Sequence, residues 1–107
     1  MIVDFDVISE ESRIWIYQSN RTLSPAEIIE IEAKIKDFLI SWTAHGSDLQ
    51  ASFLIKYNRF IVISLNESFN IATGCSIDSS VRFIQELEKL YDVSLLDKMN
   101  VSYRHGE

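Results

Sequence analysis

A helix-start signal near residue 24 is the strongest local constraint on how this chain folds. Residues 23–28 read Leu-Ser-Pro-Ala-Glu-Ile. Ser24 suits the N-cap, Pro25 suits the first helical position, and Glu27 completes a capping box. Apolar residues then recur at spacings of three and four residues: Ile28, Ile31, Ile35, Phe38, Leu39 and Trp42. This stripe predicts an amphipathic helix that stops at Gly46.

Four strand-like segments and a second helical stripe accompany this helix. The strand-like segments are residues 13–18, 49–57, 60–65 and 99–103, which are β-branched, aromatic or alternating in polarity. Asn58 and Arg59 separate the middle two segments and predict a hairpin turn. The second stripe contains Val81, Phe83, Ile84, Leu87, Leu90 and Tyr91. It predicts a helix capped by Ser76 or Asp78.

The order of these elements predicts the fold class. Strand, helix, strand, strand, helix, strand is the βαββαβ pattern of a ferredoxin-like, two-layer α+β sandwich. Its four-stranded antiparallel sheet would carry both helices on one face, with strand order 4-1-3-2. The strand at 13–18 is then central, which agrees with its two apolar faces. A length of 107 residues favours one domain over the whole chain, with residues 1–12 as an extended lead-in.

Alternation along the first strand separates two pairs of side chains. If Ile14 and Ile16 face the helices, Trp15 and Tyr17 lie on the open face of the sheet. Exposed aromatic side chains in one patch usually mark a contact surface. We therefore expect a binding module for a protein partner or for a second copy, as in a homodimer. The alternative is that the lead-in covers both rings.

A lone cysteine provides the competing hypothesis of a thiol-based enzyme or sensor. Gly74, Cys75 and Ser76 precede the second helix, where free amide groups can hold an anion and lower the pKa of a thiol. In the predicted topology His45 and Arg13 lie at the same end. Cys75 would then be the nucleophile, His45 the base and Arg13 the charge stabiliser.

Each of these residues also has a simpler structural explanation. Cys75 can be a small buried hydrophobe, since free cysteine is often fully buried. His45 can lie at the C-terminus of the first helix, where the partial negative charge of the helix favours a positively charged side chain. Asp78 would repel an anion or thiolate. Six residues separate Cys75 from Arg82, whereas the phosphatase loop requires five, so that signature does not fit.

Composition and missing motifs exclude several other classes. The net charge of −6 argues against nucleic acid as a partner. We expect no membrane span, and the acidic N-terminus favours a cytoplasmic protein over a secreted one. One cysteine and two histidines make a poor zinc site. With no nucleotide-binding, Cys-x-x-Cys or Gly-x-Ser-x-Gly motif, we expect no cofactor and no metal.

Four segments resemble a small Bacteroidetes family of unknown function that is commonly labelled "ABC transporter ATPase". They are Arg13-Ile-Trp-Ile-Tyr-Gln18, Asn20-Arg21, Trp42-Thr-Ala-His-Gly46 and Gly74-Cys-Ser-Ile-Asp-Ser-Ser-Val81. The resemblance covers nearly the whole chain and implies that related chains continue past the position of Glu107. The label itself does not fit, because the sequence has no phosphate-binding loop or ABC signature. The family supplies no mechanism for this chain.

Overall fold

The described residues form six strands and two helices. The computed structural model describes residues 1–8, 11–44, 46–67 and 70–102, and for 96–102 the backbone only. In chain order the elements are β1 (Arg13–Ser19), α1 (Pro25–Ser41), β2 (Thr43–Ala44), β3 (Ser47–Asp48), β4 (Ala51–Lys56), β5 (Phe60–Leu65), α2 (Gly74–Tyr91) and β6 (Leu95–Ser102). Neither α1 nor α2 is long and apolar enough to cross a bilayer.

The strands divide between two antiparallel sheets. In the larger sheet the hydrogen-bonded order is β4-β5-β1-β6, and each neighbouring pair is antiparallel. The short strands β2 and β3 pair only with each other. The predicted α+β class, with antiparallel strands and two helices, is confirmed. Two short strands that the sequence did not predict, β2 and β3, form a separate sheet, so the strands do not all lie in one sheet.

The second sheet arises where we predicted the end of α1. The helix ends at Ser41, and Trp42 at its C-cap has an extended backbone. Residues 43–44 then pair with 47–48 around Gly46, whose φ is +79°. Glycine adopts this left-handed conformation without a steric penalty. Gly46 therefore serves the turn between β2 and β3, and the prediction that it stops the helix is wrong.

The predicted start of α1 is confirmed. Ser24 Oγ accepts the Glu27 amide at 3.2 Å, and Glu27 Oε1 accepts the Ser24 amide at 2.9 Å. Of the predicted stripe, Ile31, Ile35 and Leu39 are fully buried. The reciprocal cap fixes where the helix begins, and the stripe fixes which side meets the sheet.

Helix α2 begins earlier than its predicted caps. Thr73 is the N-cap: its Oγ1 accepts the Ser76 amide at 3.2 Å, and Ser76 Oγ accepts the Thr73 amide at 2.7 Å. The prediction that Ser76 or Asp78 is the N-cap is therefore wrong. Ser76 instead supplies the returning half of a capping box. Serine replaces the usual Glu or Gln there, which is why the sequence pattern did not reveal it.

The two helices pack side by side over one face of the larger sheet. The rings of Phe38 on α1 and Phe83 on α2 stack in parallel, with centroids 4.6 Å apart. The continuous core comprises side chains from α1, α2, β1, β4 and β5, including Ile35, Leu87, Ile61 and Ile63. Burial of these apolar surfaces is the main stabilising contribution to such a domain.

Trp15 and Tyr17 lie on the helix side of β1. Both are buried in the core, and the edge of the Trp15 ring meets Trp42 with centroids 6.5 Å apart. The prediction that they form an open aromatic face is wrong. A period of two separates the faces of a strand but does not say which one meets the helices. On the helix side the Trp15 ring has an aromatic partner in Trp42.

The other face of the sheet is covered at one end. Ile14, Ser64 and Ser52 stand opposite one another in register on β1, β5 and β4, and all three are buried. The N-terminal segment lies next to this end, where Val3 and Phe5 share a groove with Ser52. The lead-in therefore lies along the β4 side of this buried end.

We expect Ser64→Ala to stabilise the protein. Ser64 Oγ is buried and has no hydrogen-bond partner among the described residues. An unsatisfied buried hydroxyl is destabilising, and alanine removes it with little change in shape, so the free energy of unfolding should rise by about 1 kcal/mol. Urea denaturation measures this change. Ser76→Ala is the matched control: it loses a capping interaction and should lower stability by about 1 kcal/mol.

Candidate functional site

Cys75 is exposed in the first turn of α2. The neighbouring Ser76 is buried, and its hydroxyl donates to the Thr73 carbonyl at 2.8 Å in addition to its role in the cap. Gly74 is the first helical residue and is exposed. Of the three residues predicted to bind an anion, Ser76 thus has its hydroxyl engaged by Thr73. An exposed thiol at a helix start is not by itself a site.

Of the two proposed partners of Cys75, only Arg13 lies among the described residues. Arg13 forms an ion pair with Glu67 at 3.8 Å, and its guanidinium lies 4.8 Å from the centroid of the Trp15 ring. These contacts place Arg13 beside the connection between β5 and α2. His45 falls outside the described residues, so the Cys75–His45 pair stays a prediction.

The end of α1 and the beginning of α2 are joined by a buried hydrogen bond. Trp42 Nε1 donates to the Ser76 carbonyl oxygen at 2.8 Å. The Trp42 ring also packs against Phe38, with centroids 5.4 Å apart. Trp42 therefore anchors the start of α2, which carries Cys75, to the core.

A second polar cluster ties the start of α1 to the end of α2. The Arg21 guanidinium binds both Glu27 oxygens, at 2.9 and 2.7 Å, and also donates to the Tyr91 carbonyl at 2.7 Å. The Tyr91 hydroxyl donates to Glu30 at 2.9 Å. Burial and this bond to Glu30 raise the pKa of Tyr91 to about 12. The geometry is that of a structural clip, with each charged group already engaged.

Acid should weaken this clip. Hydrogen bonds from Arg21 and from the Ser24 amide lower the pKa of Glu27 to about 2. A lowered carboxyl pKa contributes stability that is complete above the unfolded-state value of about 4.5 and is lost as the pH falls towards 2. We expect Glu27→Gln to reduce the pH dependence of unfolding across this window, measured by urea denaturation at several pH values. Arg21→Gln should flatten the same window, and an unchanged slope in both variants would contradict the assignment.

The β4–β5 hairpin presents the most exposed aromatic ring of the described chain. Tyr57 and Asn58 both have positive φ, 55° and 54°, which indicates a type I′ turn. Tyr57 is 81 % exposed, and its ring meets the edge of Phe60 with centroids 6.3 Å apart. The hairpin is confirmed, but its central residues are one position earlier than predicted. We call Ile16, Lys56, Tyr57, Phe60 and Val62 the hairpin surface.

The hairpin surface lies on the face of the sheet away from the helices, beyond the part next to the lead-in. Ile16 and Val62 are opposite each other in register, and Phe60 stands opposite Lys56. The apolar side chains of this group are half-buried, while Lys56 and Tyr57 are exposed. The sequence analysis missed this surface because it assigned Trp15 and Tyr17, and no other aromatic residue, to the open face of the sheet. The usable signal was a tyrosine at a turn, where small polar residues are the rule.

Comparison with known proteins provides no family for this chain. No protein-family model, no curated protein and no solved structure matches it. The resemblance described from the sequence therefore stays a prediction. Function has to be argued from the surfaces themselves.

Proposed function

We propose that the protein is an interaction module, built on a ferredoxin-like fold, that binds another protein through the hairpin surface. The sheet order β4-β5-β1-β6 and its antiparallel pairings support the ferredoxin-like assignment. The described polar clusters that could have served chemistry are used structurally, in the cap of α2 and in the Arg21 clip. An interaction role is the function that this arrangement supports best.

Tyr57 is the observation that carries this proposal. A bulky side chain with positive φ is strained by roughly 1–2 kcal/mol, and asparagine or glycine would fit the turn better. The ring is 81 % exposed, so core packing does not compensate for the strain. We expect such strain at a contact residue, because the binding energy of the partner on the exposed ring would offset the cost of the strained backbone.

The charge around the hairpin surface favours an acidic partner. Lys56 is exposed on this face, and Arg59 lies in the same turn, where its guanidinium donates to the carbonyls of Ser19 and Asn20. The described residues of the hairpin itself include no acidic side chain, although the whole chain has a net charge of −6. A protein segment with an apolar or aromatic anchor and acidic flanks would complement this surface.

Selection from a displayed library of random peptides tests the proposal. We expect wild-type protein to enrich peptides with aromatic or apolar anchors and acidic flanks. Tyr57→Asn should bind the enriched peptides at least tenfold more weakly while unfolding at higher urea concentration, because relief of the strained turn adds about 1 kcal/mol. Loss of binding together with a gain in stability separates a contact role from a folding defect.

Two further variants make the result decisive. Lys56→Glu should reverse the preference for acidic flanks, whereas Val81→Ser on α2, exposed and remote from the hairpin, should leave binding unchanged. Enriched peptides that bind wild type and Tyr57→Asn equally well would overturn the proposal. So would the absence of any enrichment.

A further inference from the structure

We propose that the groove beside strand β4 binds a short apolar peptide whose amino and carboxyl ends are both free. This site is separate from the hairpin surface and goes beyond the binding function proposed above. The walls of the groove, backbone groups without a partner and a pair of opposite charges support the assignment.

The groove has a volume of about 720 Å³ and is formed by three parts of the chain. Helix α1 contributes one wall, residues 52–55 of β4 contribute the second, and residues 2–5 with Val7 contribute the third. The N-terminal segment pairs with β4 at Ala51 and then turns at Asp4, whose carbonyl accepts the Val7 amide at 2.9 Å. Ligand pockets in proteins commonly measure about 300–1,000 Å³. The N-terminal segment thus completes a groove of ligand size.

Most of the side chains that line the groove are apolar, and several of them are only partly covered by the chain itself. Val7 and Ile40 are 72 % and 57 % exposed. Phe5, Phe53 and Ile55 are half-buried. A ligand with apolar side chains would cover this surface, which is favourable in proportion to the apolar area removed from water.

The β4 edge in the groove also has backbone groups without a partner. The Val3 amide donates to the Ala51 carbonyl at 2.9 Å, and the Ala51 amide donates to the Met1 carbonyl at 3.0 Å. Every second residue of a strand directs its backbone groups to the same side, so those of Phe53 and Ile55 point to this edge as well. Among the described residues, none bonds to them there. A peptide supplies both the donors and the acceptors that these groups require.

Two opposite charges on α1 lie in the same groove. Glu32 and Lys36 both line it and are about one helical turn apart. Glu32 is half-buried, Lys36 is exposed, and neither forms an ion pair with a described residue. Asp4 adds a second carboxylate from the N-terminal segment. A ligand that carries one ammonium and one carboxylate would complement this set of charges.

The charges favour a peptide over a fatty acid as the occupant. Lys36 would attract the single carboxylate of a fatty acid, but Glu32 and Asp4 would repel it. A fatty acid also has no amide that could bond to the β4 edge. A free peptide offers an ammonium to Glu32 and a carboxylate to Lys36, with amides and apolar side chains between them. An apolar tripeptide with free ends is therefore the class of ligand that fits the whole groove.

Titration of the full chain with apolar tripeptides tests the site. The panel is built from leucine, valine, alanine and phenylalanine, and each peptide is used free, N-acetylated and C-amidated. We expect the best free peptide to bind with a dissociation constant below about 1 mM, with the largest amide NMR shifts at Phe53 and Ile55. N-acetylation should weaken binding about fivefold and C-amidation about threefold, because each removes one charge pair near the surface.

Matched variants assign each end of the peptide to its partner. Glu32→Gln should lower the affinity for the free peptide about fivefold and abolish the effect of N-acetylation. Lys36→Met should lower it about threefold and abolish the effect of C-amidation. Lys34→Met is the control and should bind like wild type, because Lys34 is exposed on the same helix but does not line the groove. A folding defect would weaken every form of the peptide alike and would not cancel one modification.

The results for the groove and for the hairpin surface are distinguishable. Tyr57→Asn should bind the tripeptides like wild type, and Glu32→Gln should bind the displayed peptides like wild type. The absence of saturable binding for every tripeptide would overturn the groove assignment and leave the hairpin proposal untouched. Equal affinity for free and capped peptides would do the same. If decanoate bound more tightly than any tripeptide, the groove would be a fatty-acid site and the inference would equally be rejected.

Discussion

Trp42→Ala should destabilise the protein by about 3–5 kcal/mol, which is a large part of the stability of a domain of this size. Trp42 is 3 % exposed, and its ring contacts both Trp15 on β1 and Phe38 on α1. Removing the ring leaves a cavity between the sheet and the two helices. Urea denaturation followed by far-ultraviolet circular dichroism measures the loss.

Trp42→Phe separates the packing contribution from the hydrogen bond. Phenylalanine retains an aromatic ring in the core but cannot donate to the Ser76 carbonyl, so we expect a smaller loss of about 1–2 kcal/mol. Circular dichroism is the suitable probe because the substitution removes one of only two tryptophans. Equal losses in the alanine and phenylalanine variants would contradict the assignment of most of the effect to packing.

Trp42 also shows how far the sequence could predict the fold. Its place at the end of the α1 stripe predicts burial, and that is correct. Its extended backbone and its bond to α2 depend on contacts between residues distant in sequence, which no local pattern encodes. Periodicity thus predicted the class and both helices, but not the second sheet.

The candidate surfaces were harder to predict because the sequence pattern does not show which face of a strand is inward or which residues form the hairpin turn. Strand β1 has two apolar faces, and alternation gives no reason to prefer Ile14 over Trp15 as the inward side chain. Which face is inward depends on the side chains that pack against the strand, and the Trp15 ring packs against Trp42. The sequence did not predict the strained conformation of Tyr57, because its positive φ is a property of the folded hairpin.

Leu87→Ala should destabilise the protein by about 2–5 kcal/mol, whereas Leu90→Ala should change stability by no more than about 0.5 kcal/mol. Both leucines belong to the predicted stripe of α2 and undergo the same chemical change. Leu87 is 1 % exposed and Leu90 is 62 % exposed, so only the first substitution opens a cavity. Their midpoints of urea denaturation provide the comparison. Similar losses in the two variants would mean that α2 is rotated about its axis, and the packing of Phe38 on Phe83 would then also have to differ.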